Sequence, residues 1–140
     1  MHAREIMSTP VIAVSAQPTI EEAVREMLAR GFTTMPVVES SGRLLGLVTE
    51  ADLGLSRLAL NARDRSGPDD GVLLGLTRRT VAAVMCTPAP TIDAGADLTE
   101  AAQRLVHSGR RCLPVAAGSL VIGMLSWRDL LRTMLLDRTR

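Results

Sequence analysis

Two stretches of the chain place a carboxylate at the same point of a shared pattern. Residues 44–53 read LLGLVTEADL, an apolar run that stops at Thr49 and sets Asp52 three places on. Residues 121–130 read VIGMLSWRDL and put Gly123, Ser126 and Asp129 where the first stretch has Gly46, Thr49 and Asp52. An ionised carboxylate accepts hydrogen bonds only, and it can take two at once from neighbouring hydroxyls. Ribose offers such a pair and deoxyribose does not. A hydroxyl residue that ends a strand and opens a helix stands beside free N–H groups and the positive end of the helix dipole, a place that favours phosphate. The same spacing also writes a helix cap, with the hydroxyl on the N3 N–H and an acidic side chain at N3. Found once, the cap would be the better reading. Found twice in the same frame, the ligand reading gains, and one Asp can serve both roles.

Other chemistries lack their residues. Nucleophilic catalysis needs a nucleophile, a base and an orienting group. His2, His107, Cys86 and Cys112 are scattered, with no CxxC, Walker loop or metal-spaced cluster. The reading is therefore of a non-enzyme with no metal and no resident cofactor. The methionines fall on helix and strand positions and read as core. The two cysteines read first as small buried residues, with Cys112 the better candidate for a redox sensor. His107 shares a helical face with Gln103 and Arg104 and reads as exposed.

The 140 residues carry 16 basic and 15 acidic side chains, without the one-sided basic excess of a nucleic-acid binder. No apolar run approaches the ~20 residues that span a bilayer. MHAREIMSTP has no apolar signal-peptide core, so a reduced, cytoplasmic setting is expected. Aromatics are limited to Phe32 and Trp127, which leaves the core to Leu, Val, Ile, Ala and Met.

The chain repeats itself. Shifted by 78 positions, MSTPVIAVSA at 7–16 falls on MCTPAPTIDA at 85–94, and TIEEAVREMLARG at 19–31 falls on DLTEAAQRLVHSG at 97–109. TTMPVV at 33–38 falls on RCLPVA at 111–116; one residue is then lost, and LLGLVTEADL meets VIGMLSWRDL. Each half predicts a short helical turn ending at Met7 or Met85, broken by Thr-Pro. A short strand follows, Val11–Val14 or Pro90–Ile92. Next comes an amphipathic helix closed by Gly31 or Gly109. In the first half Ile20, Ala23, Val24, Met27 and Leu28 share its apolar face. A hairpin of two strands comes next, Met35–Glu39 with Leu44–Val48 and Leu113–Ala116 with Leu120–Leu125. A second helix starts after Thr49 or Ser126. Residues 1–60 form the first motif, 61–79 a charged linker, and 80–140 the second motif. The apolar VLLGL at 72–76 interrupts that linker as a possible cover or dimer contact. A half of this size buries too little surface to stand alone, so the fold class is α+β, with two pseudo-symmetric β-α-β-β-α motifs packed sheet to sheet.

These features together resemble a tandem pair of CBS motifs, the regulatory unit often called a Bateman module. The resemblance rests on Met-x-Thr-Pro before each first strand, the pairs Met35-Pro36 and Leu113-Pro114, and Gly-x-x-[Thr/Ser]-x-x-Asp in both halves. It implies two clefts that bind adenosyl ligands: AMP, ADP, ATP, S-adenosylmethionine or a relative. Carried over residue by residue, one cleft joins Thr49 and Asp52 to Thr91, Ile92, Arg111, Cys112, Leu113 and Pro114. Its twin joins Ser126 and Asp129 to Ser8, Ile12, Ala13, Thr33, Thr34, Met35 and Pro36. The clefts differ: Arg111 stands where the other has Thr33, and Trp127 where the other has Glu50. The resemblance further implies a homodimer and an unknown effector protein as partners. A ligand-free docking scaffold is the alternative.

Overall fold

The computed structural model describes residues 1–64 and 79–137. Along the chain run α1 (Ala3–Ile6), α2 (Ile20–Arg30), β1 (Thr34–Val38), β2 (Leu44–Thr49) and α3 (Glu50–Asp64). After them come α4 (Val81–Val84), β3 (Ile92–Asp93), α5 (Leu98–Ser108), β4 (Cys112–Ala117), β5 (Leu120–Ser126) and α6 (Trp127–Asp137). The class is α+β.

Local signals explain the helix ends. The Glu22 N–H donates to Thr19 Oγ1 at 3.2 Å, and the Glu100 N–H donates to Asp97 Oδ1 at 2.8 Å, so α2 and α5 open on side-chain caps. Both close on a left-handed glycine, Gly31 at φ 71° and Gly109 at φ 67°. The short helices α1 and α4 stop at Met7 and Met85, two residues ahead of the cis Thr9–Pro10 and Thr87–Pro88 bonds.

The chain divides into two compact units that do not follow its sequence halves. One unit holds residues 1–12, 42–44 and 89–140, and the other holds 13–41 and 45–88. The leading helix α1 thus belongs with the later sheet, and α4 belongs with the earlier one.

In the unit built around α2, β1 and β2 form a two-stranded sheet. Ile20, Ala23 and Met27 of α2 pack with Met35, Val37, Val48, Leu53 and with Val81 of α4. Chain 79–81 is tied in by backbone bonds, Ile20 N–H to the Arg79 carbonyl at 3.0 Å and Val81 N–H to the Pro18 carbonyl at 2.9 Å. In the other unit β3, β4 and β5 form one sheet, β3 parallel to β4 and β4 antiparallel to β5, with a bulge between Val115 and Ala116. Ala3, Ile92, Ala101, Leu105, Leu113 and Leu130 are among its buried residues. Here α1 is held by the Ala3 N–H on the Ala96 carbonyl at 2.8 Å.

Three expectations need correction. The strand expected at Val11–Val14 is reduced to one parallel bridge, Val14 to Val37, and its counterpart is Ile92–Asp93 rather than Pro90–Ile92. Pro90 has no N–H for a ladder, so pairing starts beyond it. The helix α3 runs through Asp64, four residues into the stretch expected to be linker, because NARD contains no breaker before Gly67-Pro68. Leu28 is 78% exposed, since the buried stripe of α2 follows Ile20, Ala23 and Met27. Residues 65–78 of the expected linker, including VLLGL at 72–76, lie outside the described residues.

Candidate functional site

Each Thr/Ser-x-x-Asp stands where a strand becomes a helix. At the β2–α3 junction the Asp52 N–H donates to Thr49 Oγ1 at 3.2 Å, and the Thr49 N–H donates to Asp52 Oδ2 at 2.9 Å. At the β5–α6 junction the Asp129 N–H donates to Ser126 Oγ at 3.3 Å, and the Ser126 N–H donates to Asp129 Oδ2 at 2.9 Å. Both are reciprocal capping boxes. The cap weighed above is therefore present in both units, and each carboxylate is fixed in place by its own helix start.

The segment ahead of each first strand runs alongside the same junction. Ser8 and Met124 exchange backbone bonds of 2.7 and 3.1 Å, and Cys86 and Leu47 exchange bonds of 2.8 and 3.1 Å. Gly123 and Gly46 make this approach possible. A Cβ on Gly46 would stand 2.7 Å from Met85 Sδ and 2.9 Å from the Cys86 carbonyl oxygen. A Cβ on Gly123 would collide with the side chain of Met7. The glycine of Gly-x-x-[Thr/Ser]-x-x-Asp is thus a seat for the methionine of Met-x-Thr-Pro.

Through this approach the Ser8 hydroxyl reaches Asp129 Oδ1 at 3.3 Å. The Ser126 hydroxyl also donates to Asp129 Oδ2, at 3.1 Å. Cys86 holds the place equivalent to Ser8, but its Sγ lies 3.9 Å from the Pro88 carbonyl instead. The sequence reading had not put Cys86 in a site, although its offset of 78 from Ser8 pointed there. One helical turn on, the Thr133 hydroxyl donates to the Asp129 carbonyl at 2.9 Å, while the equivalent Ser56 hydroxyl is buried without a partner among the described residues.

Other predicted site residues fall beside these junctions. The Glu50 N–H donates to the Thr33 carbonyl at 3.0 Å, and the Trp127 N–H donates to the Arg111 carbonyl at 3.2 Å. Cys112 is the register partner of Ser126. Thus Thr33 lies next to the Asp52 junction, and Arg111 and Cys112 lie next to the Asp129 junction, each within its own unit. Burial, reinforced by the Asp129 charge, pushes the Cys112 thiol up to about 11. It is a protonated thiol at neutral pH, which removes the thiolate that a redox sensor would need. Met35, Pro36, Leu113, Pro114 and Ile92 are buried, Thr34, Thr91, Ile12 and Ala13 are half-buried, and Arg111 is exposed.

Two open grooves lie elsewhere. One of about 600 Å³ runs between β3 and α5 past Thr91, Asp93, Glu100 and Arg104, with the Arg104 Nε donating to the Thr91 carbonyl at 2.9 Å. The other, of about 520 Å³, passes Ala13, Ser15, Val38 and Glu39. Neither is lined by Asp52 or Asp129. Among the described residues no cluster of His, Cys, Asp and Glu is placed to hold a metal. No helix among them is long and apolar enough to cross a membrane.

The CBS domain model matches residues 3–53 and 81–136, which takes in both capping boxes and both methionine seats. The chain belongs to the CBS domain family. It is 25% identical over 131 residues to an A-adding tRNA nucleotidyltransferase of Aquifex aeolicus, covering 94% of this chain and 14% of that enzyme. It spans less than half the length of this and two other curated relatives, at 14%, 26% and 42%. Among solved CBS structures it resembles CBSX2 in complex with AMP, with a TM-score of 0.79, 21% identity and 98% of both chains covered. It also resembles the CBS domain pair of MJ0100 in complex with 5′-methylthioadenosine and S-adenosyl-L-methionine, with a TM-score of 0.75, 18% identity and 98% of both chains covered. At these identities the likeness establishes the CBS-pair fold.

Proposed function

We propose that this CBS pair is a non-catalytic regulatory module that binds an adenosyl ligand through its ribose hydroxyls at Asp52 and Asp129. The observation that carries the reading is the doubled capping box. Each carboxylate is locked at a helix start and retains acceptor capacity. A carboxylate offers about four lone-pair sites, and the described donors occupy one at Asp52 and three at Asp129. AMP and S-adenosylmethionine in the solved relatives support the same ligand class. Each adenine would lie against one apolar-Pro pair, Met35-Pro36 or Leu113-Pro114. The module would pass its ligand state to a separate effector protein, and any conformational shift is bounded by the difference in the ligand's affinity for the two states.

The test is calorimetry with AMP and with 2′-deoxy-AMP. AMP should bind more tightly by about 1–3 kcal/mol, the cost of leaving a buried acceptor unpaired. Equal affinities would reduce both Asp residues to helix caps.

A second reading, a dimerising or docking scaffold, has its own observation. Helices α3 and α6 leave Leu55, Leu58, Leu131 and Leu135 between 59% and 68% exposed. Apolar surface of this kind is ordinarily covered, and a second copy of the chain would cover it. The two readings are compatible in a ligand-binding homodimer. Sedimentation equilibrium at micromolar concentration decides the oligomeric part, and a monomer there would count against it.

A further inference from the structure

We infer that Ser8 is a built-in competitor for the Asp129 carboxylate, so the two carboxylates are unequal acceptors: Asp52 open, Asp129 gated. The inference rests on the ligand-binding reading above and deepens it.

The count of donors carries it. Asp129 Oδ1 accepts from the Ser8 hydroxyl, and its Oδ2 accepts from the Ser126 N–H and the Ser126 hydroxyl. Three of its four lone pairs are taken. Asp52 accepts only from the Thr49 N–H among the described residues, so its Oδ1 is unoccupied. A vicinal diol needs two lone pairs. Asp52 has them ready, whereas Asp129 must first release a hydroxyl.

The difference does not come from the backbone. Ser8 and Cys86 are tied to their sheets by the same pair of backbone bonds. A serine hydroxyl is a strong donor and a thiol a weak one. Accordingly Ser8 turns to the carboxylate, and the Cys86 sulfur stays near the Pro88 carbonyl two residues on. Ser8 is a positioning residue here. It sets how much of Asp129 a ligand can reach, without being part of the acceptor itself.

The first test needs no ligand. The full-length chain is treated with a water-soluble carbodiimide and glycine methyl ester, and labelling at each Asp is read by peptide mass spectrometry. Asp52 should label faster than Asp129. Ser8→Ala should speed labelling at Asp129 and leave Asp52 alone, and Ser8→Thr, which keeps the hydroxyl, should restore the slow rate. Cys86→Ser should slow labelling at Asp52. The second test uses AMP as the probe, with Asp52→Ala isolating binding at Asp129. There, Ser8→Ala should tighten AMP about tenfold, a change equivalent to about 1.4 kcal/mol, and 2′-deoxy-AMP should gain less. Labelling at Asp129 that ignores Ser8→Ala overturns the inference. An equal gain for AMP and 2′-deoxy-AMP also overturns it, since that would mark a general loosening. If the labelling pattern holds and AMP does not bind, the Ser8 gate is supported and the nucleotide reading falls.

Discussion

The two capping boxes share a frame and differ in their side chains. In both units a glycine seats a methionine, a strand end exchanges two backbone bonds with the segment after that methionine, and an Asp at N3 closes on the strand's last residue. Against this common frame, Ser8 faces Cys86, Ser126 faces Thr49, and Thr133 faces Ser56 in the repeat. The Asp129 side satisfies its polar groups internally, and Asp129 is 9% exposed. Among the described residues, the Asp52 side leaves a carboxylate oxygen and a buried Ser56 hydroxyl without partners. The backbone frame fixes where a carboxylate stands. A few small side chains around it then decide how much of its hydrogen-bonding capacity is left for something else.

The largest expected effect tests the shared frame. Gly46→Ala drives a Cβ against the Cys86 carbonyl, a backbone atom that cannot swing away. It should destabilise by about 2–3 kcal/mol in denaturant unfolding, the upper end for overpacking. Gly123→Ala meets the flexible side chain of Met7 and should cost about 1–2 kcal/mol. Equal costs would remove the distinction between the two seats.

Next comes the carboxylate itself. Asp129→Ala breaks bonds to Ser8 and to both donors of Ser126 and should cost about 2 kcal/mol, whereas Asp52→Ala loses one capping partner and should cost about 1 kcal/mol. The order matters more than the sizes. A costlier Asp52→Ala would contradict the view that Asp129 is the more engaged group.

A smaller effect concerns Cys112, which feels burial first and then the Asp129 charge. Its alkylation by iodoacetamide should still be accelerating above pH 9, approaching its plateau only near pH 11. Asp129→Asn should shift that profile to lower pH. The linkage sign follows: the folded thiol holds its proton where the unfolded one loses it. Its contribution is complete below the ordinary value of 9.0 and is lost as pH rises toward about 11. A profile already flat at pH 9 would contradict a buried thiol.

The smallest effect belongs to Trp127, half-buried on the first turn of α6 beside Ser126. Its emission should change on AMP addition mainly when Asp129 is free to accept. The response should therefore grow with Ser8→Ala and vanish with Asp129→Ala. A response abolished by Asp52→Ala and spared by Asp129→Ala would reassign the fluorescent reporter to the other carboxylate.

Much of this was legible in the sequence where the cause is local. Thr-Pro and the Gly31 and Gly109 stops are signals within a few residues of the helix ends they set. The hairpin strands were equally readable, because their apolar runs and turns are neighbours. The first strands were not, since Val14 pairs with Val37 and Ile92 with Val115, distant partners that no local pattern announces. The same holds for the inequality of the carboxylates. The sequence displays Ser8 and Cys86 as a conservative pair, and only the 121-residue separation closed by the Ser8–Asp129 bond reveals what the hydroxyl does.

The assignment of α1 to the later unit has a consequence for the order of assembly. Residues 13–88 contain the whole of one unit, so it can close once that stretch has left the ribosome. The first twelve residues must wait for 89–140, joining partners about 93 to 121 positions away. Contacts of such high sequence separation carry a larger loop-closure entropy and tend to form late. Residues 1–12, made before the stretch they dock against, are then among the last to settle, and the Ser8 gate is set only when that docking is complete.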